Sequence, residues 1–113
     1  MREQNIQNAI RVALSAHGMV FRTNAGTFWQ GKQVYDQDRK QRILTNLRPV
    51  AGLPEGFPDL IFFGKNGKTV FIETKRPGKK PKPEQVNFIS IARSYGFAAG
   101  VARSVDDALR LIE

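Results

Sequence analysis

The residues best suited to chemistry are Asp59, Glu73 and Lys75. Pro58-Asp59 opens a short apolar run, Leu60 to Phe63, and Glu73-Thr74-Lys75 closes a second, Thr69 to Ile72. Residues two apart on a strand share a face, so Glu73 and Lys75 point the same way and Thr74 points opposite. Glu-x-Lys by itself is common and often only a salt bridge. The conjunction is more specific: an Asp follows Gly-Phe-Pro at a strand start, and a hairpin brings Glu-x-Lys back to the same edge inside a basic field. Phosphodiester hydrolysis has a use for these groups. It needs neutralised equatorial oxygens, an oriented water and help for the leaving oxygen. Two carboxylates can hold Mg²⁺, a hard ion that takes oxygen ligands. A lysine can orient or deprotonate the attacking water and offset the developing charge.

The two acids meet only in one hairpin register. A two-residue Asn66-Gly67 loop would set Asp59 opposite Thr74 and leave Asp59 and Glu73 on different faces. A three-residue loop, Lys65-Asn66-Gly67 with Gly67 left-handed in a bulge, pairs Asp59 with Glu73. The three-residue loop is therefore expected.

Other elements must hold this hairpin in place. Ile6, Ile10, Ala13 and Leu14 recur at helical spacing, which predicts an amphipathic helix over Glu3 to His17 with Gly18 as its stop. Met19 to Thr23 reads as a first strand. Asn24 to Gly56 is the least periodic part, and a structureless loop of that length is uncommon in a compact domain, so at least one hairpin is expected there. The strands Asp59 to Phe63 and Thr69 to Lys75 carry apolar residues on both faces, as strands at the centre of a helix-covered sheet do. Pro83 suits the first position of a second helix running to Gly96, and Phe97 to Ala102 is a last strand. Ser104-Val-Asp-Asp107 has the form of a cap opening a C-terminal helix. The order α-β-β-β-α-β-α, with a strand–helix–strand crossover at its end, predicts a parallel pair beside the antiparallel hairpin.

Composition narrows the function. The chain has 113 residues, enough for one domain over 1–113, and no repeat or linker divides it. With no cysteine and one histidine, disulfides, thiolate metal sites and cysteine nucleophiles are excluded, and histidine-rich sites are disfavoured. No apolar run reaches the ~18 residues that span a bilayer, and Met1 to Asn8 lacks the order of a signal peptide. A cytoplasmic setting is expected. The 18 basic and 10 acidic residues give a net charge of +8, and all of it lies between Arg39 and Lys82, where 11 basic residues meet 3 acids. Such a field suits a polyanion. Arg39, Lys40 and Arg42, and Lys79, Lys80 and Lys82 beside the acid–lysine cluster, are the expected backbone contacts, with Arg76 among them. Phe28 and Trp29 read as core or dimer contacts, with base stacking as the other option.

The motifs together resemble a known family. Gly56-Phe57-Pro58-Asp59-Leu60 followed by Ile72-Glu73-Thr74-Lys75 resembles the PD-(D/E)XK nuclease signature. The wider pattern is similar to the virus-type replication-repair nuclease (VRR-NUC) domain in its small stand-alone form. Glu3-Gln4-Asn5-Ile6-Gln7, Arg22-Thr-Asn24-x-Gly26, Lys75-Arg-Pro-Gly, Pro83-Glu84-Gln85 and Arg103-Ser-Val-Asp-Asp-Ala108 carry the likeness along nearly the whole chain. Phe57 departs from the smaller or Val/Arg-type residue usual before that Pro, and Ile89 stands where related exonucleases add a Tyr.

The resemblance implies an α/β fold with a restriction-endonuclease-like αβββαβ(α) core, a mixed central sheet flanked by helices. It implies Mg²⁺- or Mn²⁺-dependent cleavage of DNA. Asp59 and Glu73 become metal ligands, Glu3 a further acidic residue of the metal site, Lys75 the catalytic lysine and Gln85 the helix glutamine beside it. Thr74 adds at most its backbone carbonyl to the metal, and Arg22 and Asn24 join the DNA-contacting set. Stand-alone members are associated with homodimers that act on branched DNA such as four-way junctions. The expected protein is thus a phage- or prophage-type endodeoxyribonuclease of replication, recombination or repair in a bacterial host. Two other readings remain open: a non-catalytic basic nucleic-acid-binding protein whose acid–lysine cluster is structural, and a toxin-like nuclease acting on RNA.

Overall fold

The computed structural model describes residues 2–25 and 27–113; Met1 and Gly26, the end of the Arg-x-Asn-x-Gly segment, lie outside it. Helix α1 spans Glu3–Leu14, and Ile6, Ile10 and Leu14, each four residues apart, are its buried positions. It stops three residues short of the expected His17. The Ser15 hydroxyl donates to the Val12 carbonyl at 2.6 Å, and the His17 amide donates to the Leu14 carbonyl at 2.9 Å. That tight turn delivers the chain to strand β1, Met19–Arg22.

After β1 come β2 (Thr27–Asp36), β3 (Gln41–Ala51), β4 (Leu60–Phe63), β5 (Thr69–Thr74), helix α2 (Pro83–Ser94), β6 (Ala98–Ala102) and helix α3 (Val105–Ile112). Four strands form one sheet in the order β1-β4-β5-β6, with β4 and β5 at its centre. Neighbours are antiparallel except β5 and β6, which run parallel with α2 as the crossover. The mixed, helix-flanked sheet is the expected fold class.

The two faces of the sheet bury different sets. Ile6, Ile10 and Leu14 of α1 and Ala108 of α3 close over Leu60, Phe62, Val70, Ile72 and Ala102. On the other face Ile89 and Ala92 of α2 meet Ala99, flanked by Phe71 and Phe88. Phe57 joins that second layer, with ring centroids 4.8 Å from Phe88 and 5.8 Å from Phe71. Its bulk before Pro58 therefore packs the strand entry against α2. Each large apolar side chain buried this way contributes about 1.5–3 kcal/mol. On β6 the small residues serve contact: a Cβ on Gly100 would fall 2.8 Å from the Leu111 side chain, so glycine lets α3 rest on the strand.

The β4–β5 turn has the expected length. Gly64 donates to the Lys68 carbonyl at 2.8 Å, leaving Lys65-Asn66-Gly67 as the loop, and Asn66 (φ 60°) is left-handed as well as Gly67 (φ 72°). The register pairs Leu60 with Ile72, which carries Asp59 abreast of Glu73.

The Asn24 to Gly56 segment holds the expected hairpin, a long ribbon of β2 and β3 whose register shifts at a bulge between Gln30 and Lys32. It pairs with itself outside the main sheet. The radius of gyration is 17.0 Å, against roughly 13 Å for a compact chain of about 100 residues. Phe28 and Trp29 are exposed on this ribbon, Trp29 by 61%, so neither is a core residue of the chain.

Candidate active site

The site is built where β5 ends. Glu73, Thr74 and Lys75 are buried there, Glu73 to 1% exposure and Lys75 to 5%, although two of the three are ionisable. Burying charge is costly unless it is compensated, so this end of the sheet asks for a partner. The Lys75 amide is fixed by the Ala102 carbonyl of β6 at 3.1 Å. Its Nζ stands 3.7 Å from Glu73 Oε1 and 3.9 Å from Glu3 Oε1. Those separations give attraction but exceed hydrogen-bond length, so the ammonium keeps its donors for another acceptor.

Glu73 lies on the α2 face of the sheet. Its Oε1 accepts from Gln85 Nε2 at 3.0 Å, while its Oε2 is buried with no hydrogen-bond partner. Burial pushes the Glu73 carboxyl up to about 8. The charge of nearby Asp59 adds to the rise, and Lys75 opposes it. An acid so placed is a poor anion alone and a good one beside a cation.

Asp59 stands one residue before β4 and turns its carboxylate across the strand end. Its Oδ2 accepts from the Thr74 amide at 3.0 Å and from Thr74 Oγ1 at 2.7 Å. Gln7 of α1 donates in turn to Thr74 Oγ1 at 3.3 Å. Thr74 thus does more than its expected backbone carbonyl: although its Cβ faces α1, its hydroxyl orients Asp59. Strand alternation gives the direction of Thr74 correctly but says nothing of a carboxylate reaching around a strand end. Gln7 had a sequence signal, since it lies four residues after Glu3 on the same helical face.

The backbone before Asp59 is also pinned. Gly56 has φ +90°, and a Cβ there would sit 2.7 Å from the Glu84 carbonyl, so only glycine lets the chain pass under the start of α2. Thr23 beside β1 donates its amide to the Asp59 carbonyl at 3.0 Å and its hydroxyl to the Pro58 carbonyl. Arg22 and Asn24 thereby line one polar cavity of about 260 Å³ with Glu3, Gln4, Gln7 and Asp59. A larger hollow, about 680 Å³ and lined by His17, Phe62, Lys65 and Lys68, lies toward the other end of β4. It holds none of the acid–lysine cluster, and an open polar groove suits a polymer backbone better than volume does.

A family model for the VRR-NUC domain matches residues 1–106. The chain belongs to the VRR-NUC family. A solved structure described as a VRR_NUC domain shares this fold with a TM-score of 0.57 at 20% identity, covering 97% of this chain and 92% of that one. A comparison with curated proteins returned no match. VRR-NUC is a nuclease-type family, which implies a DNA substrate, and nucleases of this kind generally use divalent metals.

The donor set of this VRR-NUC chain fits such an ion. Asp59 and Glu73 offer hard carboxylate oxygens at the ends of neighbouring strands, and the orphaned Glu73 Oε2 is one that a cation would satisfy. Among the described residues no group of three or more His, Asp or Glu is gathered as a ready-made metal cluster. Glu3 stands 3.9 Å from Lys75 Nζ and shares the polar cavity with Asp59.

The expected DNA contacts fall into three places in the VRR-NUC chain. Arg22 and Asn24 are in the carboxylate cavity. Arg76, Lys79, Lys80 and Lys82 follow Lys75 on the exposed loop into α2, where the Lys79 amide donates to the Arg76 carbonyl and Arg103 donates to the Lys79 carbonyl at 2.9 Å. Arg39 and Lys40 lie in the turn at the end of the ribbon, and Arg42 lies on β3, away from the carboxylates. Among the described residues no helix is long and apolar enough to cross a membrane.

Proposed function

We propose that this chain is a Mg²⁺- or Mn²⁺-dependent endodeoxyribonuclease, structure-specific for branched DNA such as four-way junctions, acting as a homodimer in phage or prophage replication, recombination or repair. The carrying observation is the buried Glu73 beside the half-buried Asp59, with one unsatisfied Glu73 oxygen and an ammonium held just beyond hydrogen-bond reach.

Asp59, Glu73 and the Thr74 carbonyl would hold the ion, with Glu3 nearby. When bound, it neutralises phosphoryl oxygens and makes water easier to deprotonate. Everything else is supplied by the chain. Thr74 and Gln7 hold the Asp59 carboxylate at the end of β5 rather than free in solvent. Gln85 keeps Glu73 aimed at the same point. Lys75, unspent on either acid, hydrogen-bonds the attacking water or a phosphoryl oxygen and offsets negative charge as the phosphorus is attacked. Arg22 and Asn24 bind backbone at one side of the cavity, and the Arg76 to Lys82 loop binds it at the other.

Paired cuts across a symmetric junction suit a two-fold dimer. The test is a panel of four-way, flapped, duplex and single-stranded DNA, with and without Mg²⁺ or Mn²⁺. Metal-dependent cutting strongest on branched substrates is expected. Binding without cutting under every condition would favour the non-catalytic reading instead.

A further inference from the structure

We infer that the β2–β3 ribbon is a duplex-gripping arm, which holds the phosphate backbone of the DNA leading away from the cut over about one helical turn. The inference rests on the DNA-nuclease reading and deepens it by giving the substrate a required arm length.

Both roots of the ribbon are at the site. Arg22 and Asn24, which share a cavity with Asp59, precede β2, and β3 returns through Gly56-Phe57-Pro58 to Asp59. DNA seated on the carboxylates therefore has the ribbon beside it. Ten residues of β2 at about 3.4 Å each reach ~30 Å, close to the ~34 Å of one turn of B-DNA.

The charges are arranged for an external anion. The ribbon and its turn carry Lys32, Arg39, Lys40, Arg42 and Arg48 against Asp36 and Asp38. Asp36 is occupied locally, its Oδ1 accepting from the amides of Asp38 at 2.9 Å and Arg39 at 3.2 Å. The two strand arginines are held by neutral partners. Arg48 donates through Nε, at 3.1 Å, and Nη2 to Gln30 Oε1 across the ribbon, and Arg42 donates to Gln33 Oε1 at 3.3 Å. An amide orients a guanidinium without cancelling its charge, which leaves the remaining donors for phosphate. Lys32, two residues from Gln30, shares the Arg48 face.

The test measures binding by fluorescence anisotropy in EDTA, so that nothing is cut. The probes are labelled junctions with arms of about 6 and about 16 base pairs, either side of one ~10-base-pair turn. Wild type is expected to bind the long-armed junction at least tenfold tighter. Lys32→Gln/Arg48→Gln, whose fold is checked by circular dichroism, loses that gain. Its slope of log affinity against log salt also falls by about 2, as two phosphate contacts disappear. Gln30→Ala keeps the charge, so it weakens the gain and leaves the slope in place.

A double variant that retains both the long-arm gain and the wild-type slope, while the protein still cuts junctions, overturns the arm and leaves the nuclease reading standing. So does a ribbon that serves instead as an interface between copies: Leu47→Asp would then slow sedimentation to the monomer rate, with arm-length dependence absent from wild type. Failure to bind or cut any DNA removes the nuclease reading and the arm with it.

Discussion

Gln85 holds Glu73 with one end of its amide and the start of α2 with the other: Nε2 donates to Glu73 Oε1 at 3.0 Å, and Oε1 accepts from the Lys82 amide at 2.8 Å. A helix cap and the contact that orients Glu73 thus share one side chain. Gln85→Ala removes both. It is expected to cost about 1 kcal/mol of stability through the cap and roughly 10- to 100-fold in divalent-metal affinity through the lost orientation. Thermal unfolding and calorimetric metal titration separate the two effects. A variant with wild-type metal affinity would remove Gln85 from the site.

Thr74 makes a parallel prediction. Its hydroxyl donates to Asp59 Oδ2 and accepts from Gln7. Thr74→Val keeps the shape and loses the hydroxyl, so metal affinity should fall roughly 10- to 100-fold, while Thr74→Ser restores most of it. Equal losses in Val and Ser would mean that packing rather than the hydroxyl matters.

The raised carboxyl of Glu73 sets a pH dependence. Its ordinary value is 4.5, and in the folded protein it is pushed up to about 8. Between those values the native state holds a proton that the unfolded chain has lost, so metal-free stability falls as pH rises through that window. Glu73→Gln carries no such proton. In EDTA its melting temperature should exceed the wild-type value most at pH 9, and the difference should shrink toward pH 5. A difference independent of pH would contradict this assignment of the buried charge.

Metal binding tests the same proton from the other side. At pH 7 the metal-free Glu73 is mostly protonated, and a cation requires the carboxylate, so binding should release about one proton. Titration calorimetry in buffers of differing ionisation enthalpy reads that number directly. In Glu73→Gln the release should vanish along with most of the affinity.

Much of this was legible in the chain itself. The hairpin between β4 and β5 is short, its loop carries Asn66-Gly67, and its strands are apolar on both faces, so local turn chemistry sets the register that brings Asp59 beside Glu73. The end of α1 was less so, because Gly18 marks a stop at His17 while local hydrogen bonds of Ser15 and His17 turn the backbone away three residues earlier. The ribbon escaped a detailed reading for another reason. Its strands lack clean alternation, with Phe28 and Trp29 adjacent, and the bulge near Gln30 shifts the pattern midway. The Gln7–Thr74–Asp59 chain joins three elements, and only tertiary structure brings those together.

The most direct measurement is cleavage against binding for Lys75→Ala on one four-way junction, with saturating Mg²⁺ or Mn²⁺. Lys75 is buried at the site but bonded to neither acid, so its loss should remove catalysis and spare recognition. A catalytic Lys75 requires that cutting slow by a factor on the order of 10³ or more, with junction affinity within a few-fold of wild type. Cutting at the wild-type rate, or a loss of binding that matches the loss of cutting, would contradict it.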